Sequence, residues 1–169
     1  GNGAHHQLQL DVFGEVLDTF HEARRAGLDG DADAAAVGLA LLDVLEERWR
    51  EPDDGIWEVR GGRQQFTHSK VMAWVALDRA IRLANKRSFP ADLTELHRIR
   101  DKIFLEVIEK GWNKERQSFD QYYGSGTLDA SNLMMPLVFF MSPFDPMMVK
   151  TIEATMKAPH KGGLLSNSL

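Results

Sequence analysis

The stretch PDDGIWEVRGGRQQFTHSKVMAWVALDRAI, residues 52–81, decides how the chain is read. After Thr67 it carries Val71, Trp74, Val75, Leu77 and Ile81, with Leu83 just beyond, and this spacing predicts a helix. Before Thr67 it sets Asp53, Asp54, Trp57, Glu58 and Arg60 between glycines, the composition of a loop. A large aromatic and a carboxylate side by side at the mouth of a helix raise the question of what that loop does.

Working outward, helical periodicity dominates. A first helix is expected from Asp11 to Ala26, with Val12, Val16, Leu17 and Phe20 on one face and Gly27 as its stop. A second runs from Asp31, an N-cap, to Arg50, ahead of Pro52. The third follows Thr67. A fourth opens at Pro90 and ends near Gly111, a fifth runs from Asp129 or Ser131 to Met141, and a sixth covers Pro146–Lys157. No run alternates long enough to predict a strand. Six helices with short turns make three α-hairpins.

The helices differ in character. The second and fourth carry charge on one side, in LEERWRE and HRIRDK, whereas NLMMPLVFFM has none, and a helix apolar all round must be enclosed. Alternating inner and outer helices describe a paired-helix toroid. A flat solenoid would need a repeat of about 34 residues, which is absent. In the toroid the segments leading into inner helices open at one end. Here these are AHHQLQLD, DDGIWEVRGGRQQFTHS and DQYYGSGTLDAS, the most polar, glycine-rich and aromatic parts of the chain.

Composition narrows the function. The chain has 169 residues, 43% of them apolar, enough for a core in one domain. A net charge of −5, with scattered Lys and Arg, argues against a nucleic-acid binder. The absence of cysteine excludes disulfides, thiolate metal sites and a cysteine nucleophile. The apolar run 132–144 is too short to span a bilayer, and the start has no signal-peptide pattern, so a cytoplasmic location is the default. No cofactor is expected. The histidines lack the spacing of a zinc helix, RGGRQQF and YGSGT lack a phosphate-loop lysine, Ser69 and Ser131 read as caps, and the Met134, Met135, Met141, Met147 and Met148 cluster reads as core.

A polar, aromatic-lined rim suits sugars: aromatic faces stack on pyranose rings, and Asp, Gln and Arg bond hydroxyls. A carboxyl that is desolvated beside an indole has its pKa raised, and such an arrangement at Trp57 would prepare Glu58 to act as a general acid. From spacing alone the simpler alternative stands beside it, a solvated loop acid and an indole lid over the core.

Residues 52–81 resemble the signature stretch of glycoside hydrolase family 15, which holds glucoamylases, glucodextranases and bacterial trehalases. QLQLDVFGEVLD (residues 7–18) and YGSGTLDASNLMMPLV (residues 123–138) resemble two further blocks in the same order. The resemblance implies an (α/α)6 toroid that hydrolyses α-glucosidic bonds of trehalose, maltose or α-glucans with inversion. It implies Glu58 as general acid and Trp57 as the aromatic beside it. Gln9 and Asp11 match a polar pair at the sugar-binding rim, Arg60 joins it, and Asp129 matches an aspartate that opens an inner helix, as sugar ligand or N-cap. Asp54 lies near a family aspartate, although Gly55 stands where some relatives have the acid. The catalytic base and a sugar-binding arginine are implied beyond Leu169. Residues 1–169 therefore read as about half of the ring of a single catalytic domain, inactive alone, with uncovered inner helices that favour homo-oligomers. The rival is a non-catalytic helical domain that binds carbohydrate or a protein partner.

Overall fold

The computed structural model describes residues 7–28, 32–57, 61–85, 91–158, 160–161 and 164–165. Within them lie five α-helices: α1 (Asp11–Arg25), α2 (Ala32–Arg48), α3 (Thr67–Asn85), α4 (Leu93–Glu106) and α5 (Pro146–Lys157). A π-helical turn, Val107–Gly111, prolongs α4, and a 3-10 helix, Ala130–Met134, precedes α5. None of the described helices is long and apolar enough to cross a membrane.

The centre of the molecule is α3. Sixteen of its residues are buried, from Thr67 through Ile81 and Leu83. That leaves no solvated face, so α3 is enclosed by its neighbours. Helix α1 packs along it, α4 covers its other side, and the 3-10 helix touches both α3 and α5. Trp74 meets Phe140 edge to face at 5.1 Å, and Phe140 reaches on to Phe104 of α4. α1 approaches α3 closely because position 14 is glycine: a Cβ there would lie 2.3 Å from the Met72 carbonyl oxygen. The consequence is a buried face through Asp11, Gly14 and Leu17, while Val12 is 42% exposed. The expected apolar face through Val12 is thus rotated, since backbone proximity at Gly14 outweighs one valine.

Two lysine and arginine side chains tie the helices together. Lys70 of α3 is fully buried and donates from Nζ to the carbonyls of Trp49 and of Glu51 (2.9 Å), which satisfies acceptors left at the end of α2. Burial pushes its pKa down to about 8, against the pull of Asp53. Arg79, also in α3, donates to Asp18 of α1 at 2.6 Å, to Asp78 at 2.7 Å and to the Val138 carbonyl at 3.1 Å.

Several expectations are corrected. α4 starts at Leu93, where the Asp92 side chain accepts from Thr94 N and Glu95 N; Pro90 and Asp31 lie outside the described residues. The fifth helix ends at Met134 instead of Met141. Pro136 has no N–H, and Phe139 takes a left-handed backbone with φ 63°, so the segment turns. Its cap is Asp129, which accepts from Ser131 N, and not Ser131. Met134 is 40% exposed and is not core. Short antiparallel pairs also occur, Trp112–Asn113 (β1) with Ser118–Phe119 (β2), and His160–Lys161 (β3) with Leu164–Leu165 (β4).

Candidate active site

The three polar segments meet. Asp54 N donates to Leu8 O at 2.8 Å, and the Asp54 carboxylate accepts from Leu8 N at 2.7 Å. Asp53 and Gln64 exchange two backbone bonds of 2.9 Å across the loop. Thr67 N donates to Gln121 O at 2.9 Å, and Tyr123 N to Gln65 O at 3.1 Å. The loop before α1, the loop before α3 and the loop before the 3-10 helix are therefore stitched into one rim. Gly55 makes this geometry accessible: φ is +67°, and a Cβ would meet the Phe66 ring at 2.7 Å.

Most of the rim's polar groups are committed to holding it. Gln9 Nε2 donates to Gly55 O at 3.4 Å. Asp54 also pairs with Arg63 at 3.1 Å. Asp53 is fully buried and accepts from Leu10 N at 3.1 Å; desolvation raises its pKa, as it does for Asp11, which is 3% exposed. Asp120 accepts from Asn113 Nδ2 and from Gly126 N at 2.9 Å. Asp53, Asp54 and Asp120 are thus engaged by the loops themselves. Glu58 and Arg60 lie outside the described residues.

Trp57 stands apart. Its ring is 56% exposed, yet Nε1 donates to both oxygens of Asp129, at 3.0 and 3.2 Å, across 72 residues of sequence. Beneath it opens a cavity of about 540 Å³ between α1, α3 and the 3-10 helix. Its walls are polar at Glu15, Asp18, His68 and Ser131 and otherwise mostly apolar, with Ile56, Trp57, Met72, Met134 and Val138. Burial lowers the His68 pKa, with Asp129 opposing, so the imidazole is held toward its neutral form. The combination of an indole face, an imidazole and carboxylates around a concave space suits a polyhydroxylated ligand.

The cavity residues Glu15, Asp18 and His68 were not anticipated. A signal existed, because Asp11, Glu15, Asp18 and Glu22 recur at helical spacing along α1 as a carboxylate stripe. Asp18, His21 and Glu22 bring ligand atoms within 4.8 Å of one another. Asp18 already holds Arg79, however, and burial, together with the nearby guanidinium, lowers the His21 pKa. A cation there would have to displace an existing positive charge.

Comparison with known proteins agrees with this architecture. The family model described as Glycosyl hydrolases family 15 matches residues 1–169. The trehalase of Mycobacterium tuberculosis is 38% identical over 165 residues, 98% of this chain and 24% of that protein. The trehalase of Mycolicibacterium smegmatis is 37% identical over 170 residues, and that of Thermoplasma volcanium 34% over 157. The chain spans about a quarter of the length of these relatives, 25% of each of the last two. Among solved structures, a glycosidase in complex with glucose superposes with a TM-score of 0.77 at 21% identity, over 93% of this chain and 42% of that one. The wild-type glycosidase gives 0.76 over the same shares. The shared fold is an all-α arrangement of paired helices, part of an (α/α) toroid. With a family model matched from residue 1 to residue 169, the chain belongs to glycosyl hydrolase family 15.

Proposed function

We propose that residues 1–169 form one part of a single (α/α)6 catalytic domain, that this domain hydrolyses an α-glucosidic bond with inversion, and that trehalose is the substrate. The observation that carries the reading is the rim: three polar loops stitched together, with Trp57 over a cavity walled by Glu15, Asp18 and His68. The trehalase relatives support the choice of trehalose over maltose and longer α-glucans.

In this reading Glu58, next to Trp57, is the general acid. It gives its proton to the glycosidic oxygen as the bond from the anomeric carbon to that oxygen breaks. A second carboxylate, about 6.5–9.5 Å away, takes a proton from water, whose oxygen attacks the anomeric carbon from the opposite face. We assign that base to the parts of the family fold that these residues do not span. Trp57 is the apolar wall, Arg60 a hydroxyl ligand, and Gln9 and Asp54 the frame that fixes the rim. No cofactor enters the reaction.

The stereochemistry tests this directly. Inverting hydrolysis of trehalose releases one glucose that keeps the α configuration and one that is newly β. Proton NMR of the full-length enzyme's first turnover products is expected to give equal α and β signals before mutarotation. Release of α-glucose alone would refute inversion.

The same reading has a consequence for the 169 residues in isolation. Leu137 and Phe139 are each 69% exposed and Phe144 87%, an apolar face that favours self-association with a second copy. Light scattering at micromolar concentration is expected to give dimers or larger species, and a clean monomer counts against that face.

A further inference from the structure

Asp129 does more than a helix cap requires. Capping the 3-10 helix takes one oxygen, and Oδ1 supplies it by accepting from Ser131 N at 2.8 Å. Serine, asparagine or threonine would serve equally there. The second oxygen, Oδ2, is directed at the indole of Trp57 at 3.2 Å, while Oδ1 takes the same N–H at 3.0 Å. The carboxylate is 6% exposed, so this contact is sheltered although the indole ring is not.

An indole that is more than half exposed ordinarily samples several rotamers. Here its polar edge is tied to a buried group on another element, which fixes both side-chain torsions and thereby residue 57 of the backbone. The loop on the other side of Trp57 is held at Asp54 by Leu8 and at Asp53 by Gln64. Trp57, the residue before Glu58 in the sequence, is thus anchored on two sides.

We infer that Asp129 is a positioning residue for the general acid, acting through Trp57. The inference rests on the reading of Glu58 as that acid. Removing the tie leaves Glu58 chemically intact but frees Trp57, its neighbour in the chain, which costs proton delivery more than binding. A misplacement of about 1 Å is enough to cost roughly 100-fold in rate.

The test uses the full-length protein with trehalose and the variants Asp129→Ala, Asp129→Asn, Trp57→Phe, the double variant Asp129→Ala with Trp57→Phe, and Glu58→Gln. Asp129→Ala is expected to lower kcat by about 10- to 100-fold with KM within about twofold, and to displace the alkaline limb of the kcat–pH profile. Trp57→Phe, which deletes only the N–H and part of the ring, is expected to do the same. The double variant falls no further than the worse single one, because both remove one interaction. Asp129→Asn keeps an oxygen for Ser131 and the indole, and recovers most of kcat.

Additive losses in the double variant, or an unchanged kcat and pH profile in Trp57→Phe, overturn the inference. If Asp129→Ala does not fold, Trp57→Phe decides it alone, since it leaves the cap untouched. Glu58→Gln separates the two levels. Should it retain hydrolysis, the reading of the acid fails and the inference falls with it. Should it abolish hydrolysis while the pair behaves additively, the inference alone fails.

Discussion

Glu58→Gln in the full-length enzyme is expected to lower kcat on trehalose by about 10²- to 10⁴-fold, the range a general acid contributes. The amide keeps the shape of the side chain and its hydrogen-bonding capacity but has no proton to give. Because the departing sugar leaves as an alkoxide without that proton, the loss belongs to kcat, and KM is expected to stay near its starting value. A leaving group that needs no protonation isolates the role. On α-glucosyl fluoride the variant is expected to keep most of its rate, which distinguishes a missing proton from a collapsed site. Retention of trehalose hydrolysis within about threefold, measured as glucose release, would sink the assignment.

For the scaffold, the largest loss is expected at Arg79. Its guanidinium is 3% exposed and joins Asp18 of α1, Asp78 of α3 and the Val138 carbonyl of the turn after the 3-10 helix. Truncation to alanine leaves two carboxylates and a carbonyl without that partner, and breaking a buried pair on one side costs about 3–5 kcal/mol. Asp78 retains Arg82 at 2.6 Å, and Asp18 is 34% exposed and can rehydrate, so the lower end of that range is expected. Urea denaturation of Arg79→Ala checks the value, with Arg98→Ala as control. Arg98 pairs with Glu95 on an exposed face, where solvent screens the pair and its loss is expected to leave stability nearly unchanged. A loss below about 1 kcal/mol at Arg79 would mean that water replaces its contacts freely.

How much of this was legible in the sequence depends on how local the cause was. α5 has the bounds expected of it because Asp145 caps it and Pro146 starts it, both readable within two residues. α3 followed from its own periodicity. The segment after Met134 did not, because a run of apolar residues looks the same whether it continues as a helix or turns. What decides it is the missing N–H of Pro136 and the exposed positions that Leu137 and Phe139 take. At the site, the convergence of three loops was readable from alternating helix character. The bond from Trp57 to Asp129 was not, since no sequence spacing encodes a contact between loops 72 residues apart. The carboxylate stripe of α1 is visible in the sequence, but helical spacing alone does not say that it faces a cavity.

Lys70 gives the rim an unexpected dependence. The end of α2 is completed by a side chain that belongs to α3, through the carbonyls of Trp49 and Glu51. Asp53, where the rim begins, follows Glu51 by two residues. Unwinding the last turn of α2 would therefore uncover a buried ammonium and slacken the strand of loop that leads to Trp57 at the same moment. Fraying at one helix end and loosening of the rim loop form one cooperative opening, and α2 acts as a fastener for a loop outside its own bounds.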